Sequence, residues 1–153
     1  MPEAWSGVLV LHAHGGPELG VPRAERSEED LQRWAVMVKA GHAWAGSTYR
    51  QGGVAVRAAA EDTERLRNLF TELVAKPRVT LLHGQSWGAS VAAIATEAYR
   101  ASFDAVLLTS GVLGGGTRSY EFRLDLRCRP DRPVAGAHAE RARHRRPGCL
   151  RRA

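Results

Sequence analysis

Val79-Thr80-Leu81-Leu82-His83-Gly84-Gln85-Ser86-Trp87-Gly88-Ala89-Ser90-Val91-Ala92-Ala93 decides how this chain is read. An apolar run stops at Gly84-Gln85-Ser86-Trp87-Gly88, and a segment of small, helix-compatible residues begins at once. This is a G-x-S-x-G pattern in a strand–turn–helix setting. The letters alone are common, so the weight lies in the setting. A serine at such a bend stands above the carboxyl end of its strand. Glycines on either side, Gly84 and Gly88, allow strand and helix to approach closely.

A second stretch lies upstream. Val8-Leu9-Val10-Leu11-His12-Ala13-His14-Gly15-Gly16-Pro17 reads as a buried strand running into a His-Gly-Gly turn. Together the two stretches resemble the α/β-hydrolase superfamily, on its esterase, lipase and peptidase side, over about residues 6–120. The resemblance implies that Ser86 is a nucleophile and that the backbone amide of Trp87 helps hold an oxyanion. A partner amide would come from Gly15 or Gly16, with His14 bracing the loop. It implies a carboxylic ester or amide as substrate and no cofactor.

The remaining chain is consistent with alternating elements. Strands are expected at 7–13, within 42–49, at 79–82 and at 103–109. Helices are expected from Ser27 to Gly41, near 57–76 and over 89–99. Ser27 reads as an N-cap followed by acids. The stripe of the long helix would be Leu66, Leu69, Phe70, Leu73 and Val74. This alternation predicts an α/β fold: a parallel sheet with crossover helices on both faces, part of a three-layer hydrolase core. No apolar run is long enough for a membrane span, and the N-terminus lacks the basic opening of a secretory signal. A cytoplasmic address, with no membrane partner, is the resulting expectation.

Of 153 residues, 22 are Lys or Arg and 16 are Asp or Glu, a net charge of +6. That excess is concentrated at the end of the chain. Residues 127–153 hold nine Arg against Asp131 and Glu140, whereas residues 1–126 are nearly neutral. The terminal stretch has too few apolar side chains to form a core. The expected division is therefore a partial hydrolase core over 1–126 and a disordered basic tail over 127–153. The tail's Arg/Ala/Pro/Gly mixture also resembles out-of-frame translation, which suggests a frameshift near residue 127. Cys128 and Cys149 have no paired spacing that would suggest a metal site. Nucleic-acid binding by the tail is disfavoured because no aromatic residue accompanies its arginines.

The resemblance places a catalytic acid and then a histidine after the serine. Only His138 and His144 follow Ser86, both among the arginines, and Glu121 and Asp125 read as solvated charges. Asp104 opens its strand at the wrong end, His83 reads as a packed supporting residue, and His42 as structural. His12 is assigned no role. The expectation is a hydrolase whose triad acid and base are missing, with impaired activity. The alternative is a non-catalytic hydrolase-like fragment or binding module with a basic tail. Gly111–Gly116 matches neither a dinucleotide fingerprint nor a phosphate loop.

Overall fold

The computed structural model describes residues 1–128. The predictions for residues 129–153 of the tail, including His138 and His144, lie outside the described residues, whereas Arg127 and Cys128 are helical. The chain divides after Leu113. The first unit holds β1 (Val8–Ala13), α1 (Glu25–Arg33), α2 (Ala35–Lys39), β2 (Ala43–Gly46), α3 (Val56–Leu73), β3 (Val79–Gln85), α4 (Trp87–Ala98) and β4 (Ala105–Thr109). The described part of the second is a helix, α5 (Gly115–Cys128).

All four strands are parallel, in the spatial order β2-β1-β3-β4. The central pair is the longest: Val8 lies beside Val79 and Ala13 beside Gly84. Both central strands are short runs of apolar residues, as a strand flanked on each side requires. Leu9, Leu11, Ala13 and Leu82 form one core with Ala59, Ala60 and Phe70 of α3 and Val91, Ala92 and Ala95 of α4. The alternate positions of the same strands carry Val10, His12 and His83, all buried. A one-residue slip of either strand would exchange these two sets.

Three local expectations are corrected. The helix expected from Ser27 to Gly41 is two short helices that meet at Trp34, and Ser27 lies inside α1, whose N-cap is Ala24 with no side-chain cap. In α3 the buried positions are Ala59, Ala60, Asp62, Thr63 and Phe70, with Leu66 packed against the core. Leu69, Leu73 and Val74 are exposed. The small pair Ala59-Ala60 brings the amino-terminal half of α3 close to the core, which rotates the buried stripe away from Leu69 and Leu73. Third, α5 forms where the sequence offers a Gly-rich loop and no clear helical periodicity. Its Tyr120, Phe122, Leu124 and Leu126 are all exposed.

Asp62 shows how α3 fixes the segment after β2. Its carboxylate accepts from the Arg50 backbone N–H at 2.8 Å and from Arg50 Nη1 at 2.7 Å. The carboxylate is nearly buried while the guanidinium is half-exposed. Replacing Asp62 with Ala leaves a backbone donor without its acceptor, which is expected to cost about 2 kcal/mol. Urea denaturation of Asp62→Ala would measure it, and an unchanged midpoint would mean that the bond is not needed.

Candidate active site at the carboxyl end of the sheet

Strand β3 ends at Gln85 and helix α4 starts at Trp87, so Ser86 is the whole connection. A one-residue turn from strand to helix forces an unusual backbone. Ser86 has φ 53° and ψ −115°, a region that side chains rarely adopt, at a cost on the order of 1–3 kcal/mol. The bend is held on several sides. The Ser86 amide donates to the Thr109 carbonyl at 2.8 Å, and the Ser86 carbonyl accepts from Ala89 and Val112 at 3.1 and 3.2 Å.

The flanking glycines have distinct steric reasons. A Cβ on Gly84 would lie 2.5 Å from the Gly88 carbonyl oxygen, 2.7 Å from Ala89 Cα and 2.8 Å from Ala92 Cβ. A Cβ on Gly88 would overlap the carbonyl oxygens of Ala13 and His14. The first glycine thus seats α4 on its own strand, and the second seats it on the end of β1. Small side chains along α4 (Ala89, Ala92 and Ala95, all buried) continue that close contact.

The His-Gly-Gly turn follows β1, the strand beside β3. Gly15 abuts Gln85, since a Cβ there would meet the Gln85 side chain and carbonyl at 3.3 Å. Gly16 has φ +75°. The ring N–H of His14 Nδ1 donates to the Gly16 carbonyl at 3.1 Å, closing the turn on itself. The His14 ring also packs against Tyr49, at 4.7 Å between centroids, and against Trp87 at 5.7 Å. Tyr49 stands edge-on to Trp87 at 6.1 Å. One aromatic cluster therefore joins the loop after β1, the loop after β2 and the first residue of α4. Beside it lies an open depression of about 580 Å3 lined by Gly15, Gly16, Pro17, Glu18, Arg23 and Arg26, among others.

Below the loop is a polar row, buried except at the half-buried Thr109. Thr109 Oγ1 and His83 Nε2 are 3.1 Å apart, and the Nδ1 atoms of His83 and His12 are 3.0 Å apart. His12 Nε2 then faces Asp30 Oδ2 at 3.8 Å. One ring must donate and the other accept. The order that leaves an N–H facing the Asp30 carboxylate runs from the Thr109 hydroxyl to His83, and from His83 to His12. Burial lowers the pKa of both rings. His12 falls to about 3, chiefly by desolvation and then by His83, His14, Arg26 and Arg33. Desolvation pushes the Asp30 carboxyl up, with Arg26 and His14 opposing it.

Several of these groups are not apparent from the sequence. Arg26 falls at the end of a loop rich in Gly, Pro and charge, where nothing singles it out. Asp30 reads as a first-turn acid. Their spacing is a signal in retrospect, because Arg26, Asp30 and Trp34 are four residues apart and share one helical face. Tyr49 gives no such signal, since its partners are distant in sequence. Asp104 lies at the amino end of β4, where its carboxylate accepts from the Thr80 amide at 2.7 Å. Among the described residues, no histidine hydrogen-bonds to the Ser86 hydroxyl, and no cluster of three His, Cys, Asp or Glu side chains is arranged to hold a metal. No helix among them is long and apolar enough to cross a membrane. Comparison with protein-family models, curated proteins and solved structures finds no match to this chain.

Proposed function

We propose that Ser86 is the nucleophile of a serine hydrolase of the α/β-hydrolase type, acting on a carboxylic ester or amide. The observation that carries this reading is the Ser86 backbone itself. A non-glycine residue at positive φ forms the entire strand-to-helix turn, between two glycines that admit no Cβ. Such strain is retained where a side chain must be presented. The topology gives independent support. From β1 the chain goes to β2 on one side, and its later strands β3 and β4 lie on the other. Ligand crevices of open parallel sheets lie at the carboxyl ends of strands where the order reverses, here β1 and β3.

The fuller architecture proposed is three-layered. Right-handed crossovers would put α1 and α2 on the His12–His83 side of the sheet and α3 and α4 on the Leu9–Leu82 side. In the reaction, Ser86 Oγ would attack the substrate carbonyl carbon. The developing oxyanion would be received by the Trp87 amide and one amide of the Gly15-Gly16 turn. The serine proton needs an acceptor, and His14 and His83 are already committed to other partners. A histidine and its orienting acid must therefore come from outside this constellation, and the described residues alone make an impaired enzyme. No cofactor is needed for such acyl transfer.

A fluorophosphonate probe on the full chain tests this reading. Labelling should be about 100-fold or more slower than with a positioned base. It should accelerate with alkaline pH or added imidazole and disappear in Ser86→Ala. Failure to obtain any Ser86-dependent adduct under these conditions would overturn the assignment.

A further inference from the structure

The turn after β1 offers two amides, and the surrounding contacts distinguish them. In a trans peptide the C=O and the following N–H point in opposite directions, and the described residues contain no cis peptide. The His14 carbonyl oxygen lies against Gly88, the second residue of α4. The Gly15 N–H, on the same peptide, is therefore directed away from the start of α4. The next peptide is reversed. Arg26 Nη2 donates to the Gly15 carbonyl at 2.7 Å, which pulls that oxygen toward α1 and turns the Gly16 N–H the other way. Among the described residues, no acceptor is found for the Gly15, Gly16 or Trp87 amide, so the two loop amides differ in direction and not in occupancy.

Arg26 is itself held. Its Nε lies 3.5 Å from Asp30 Oδ2 and its Nη1 3.6 Å from Glu29 Oε2. Asp30 is 2% exposed, so its charge has few other partners. The guanidinium is thus drawn by charge toward the two carboxylates while its Nη2 hydrogen-bonds the loop. Arginine suits this task because its planar fork engages a carboxylate and a carbonyl together.

Resting on the hydrolase reading above, we infer that Gly16, not Gly15, supplies the loop amide of the oxyanion site, and that Arg26 is the positioning residue that aims it. Arg26 touches no reacting atom; it acts by setting the plane of the Gly15–Gly16 peptide. His14 holds the following peptide through the Gly16 carbonyl. The positive φ of Gly16 provides the sharp change of direction between the two.

The test uses the full chain labelled with glycine carrying both 13C-carbonyl and 15N. Only Gly–Gly peptides then give one-bond 13C–15N cross peaks, and there are four: 15–16, 52–53, 114–115 and 115–116. Arg26→Ala should move the Gly15 carbonyl resonance upfield and leave the other three peaks in place. On phosphonylation of Ser86, the Gly16 amide should move downfield in the parent chain and stay near its free position in Arg26→Ala. The Trp87 amide, followed in a tryptophan-labelled sample, should shift in both. Arg26→Lys keeps a charge beside Asp30 but loses the fork, and should reproduce the carbonyl shift if the alanine variant is unstable. A shift at the Gly15 amide, or an unchanged Gly16 response in both variants, overturns the inference while leaving the nucleophile intact. Absence of any adduct by mass spectrometry removes the hydrolase reading, and this inference with it.

Discussion

Replacing Gly88 with alanine should destabilise the fold by about 3 kcal/mol, at the upper end of what overpacking a tight site costs. Two effects oppose each other at this position. Gly88 lies in the first turn of α4, where alanine is favoured over glycine by up to about 1 kcal/mol. Against that, the added methyl would overlap two backbone carbonyl oxygens, those of Ala13 and His14. A flexible side chain could swing aside, but a strand end carrying the His-Gly-Gly turn cannot. The clash therefore outweighs the helix preference, and α4 must lift from β1. Urea denaturation compares the variant with a Gly20→Ala control, because a Cβ on Gly20 meets no atom within 4 Å and its backbone is not at positive φ. A Gly88→Ala chain as stable as its parent would mean that strand and helix are not in this close contact.

Acidification should begin to destabilise the first unit well above the pH at which ordinary carboxylates titrate. His12 is 2% exposed and His83 is fully buried, and each is held neutral in the fold. With the His12 pKa lowered from 6.5 to about 3, the unfolded chain binds a proton that the folded chain refuses throughout that interval. Stability is therefore complete above about pH 6.5 and declines as pH falls toward 3. At about 1.4 kcal/mol per unit, His12 alone contributes at most roughly 5 kcal/mol across the window. His83 and His14, also lowered, act in the same direction. Asp30 acts against them, since its raised pKa lets the folded state take up a proton before the unfolded state does. Denaturation midpoints should stay level from pH 8 to about 6.5 and fall from there to pH 5, and His12→Asn should flatten that fall. A flat profile in the parent chain would contradict the buried, neutral pair.

The sheet is legible in the sequence because its strands are short apolar runs separated by segments long enough for crossovers. Val79–Gln85 and Val8–Ala13 need no partner to be recognised. The turn at Ser86 is equally local, being written in five consecutive residues. The longer helices reveal less. The position of α3 is evident, yet its buried face depends on how near Ala59 and Ala60 sit to the sheet, and no hydrophobic scale gives alanine that importance. Helix α5 is missed because Tyr120, Phe122, Leu124 and Leu126 alternate with period two, which distributes apolar side chains around a helix instead of gathering them on one face. The polar row from Thr109 to Asp30 is invisible for a different reason. Its members come from β4, β3, β1 and α1, and a tertiary pairing of histidines has no periodic signature.

The strand order has a consequence for how this chain is made. Leu9 is neighbour to both Ala43 and Thr80, so the first strand to leave the ribosome is the one that must wait for two others. No hairpin can shelter it, because every pairing in the sheet is parallel and spans at least one helix. Such non-local closure is slow, and it leaves an apolar segment unprotected during synthesis. Val8–Ala13 is thus the segment for which a nascent-chain chaperone would compete, and slower elongation before Val79 would lengthen that exposure.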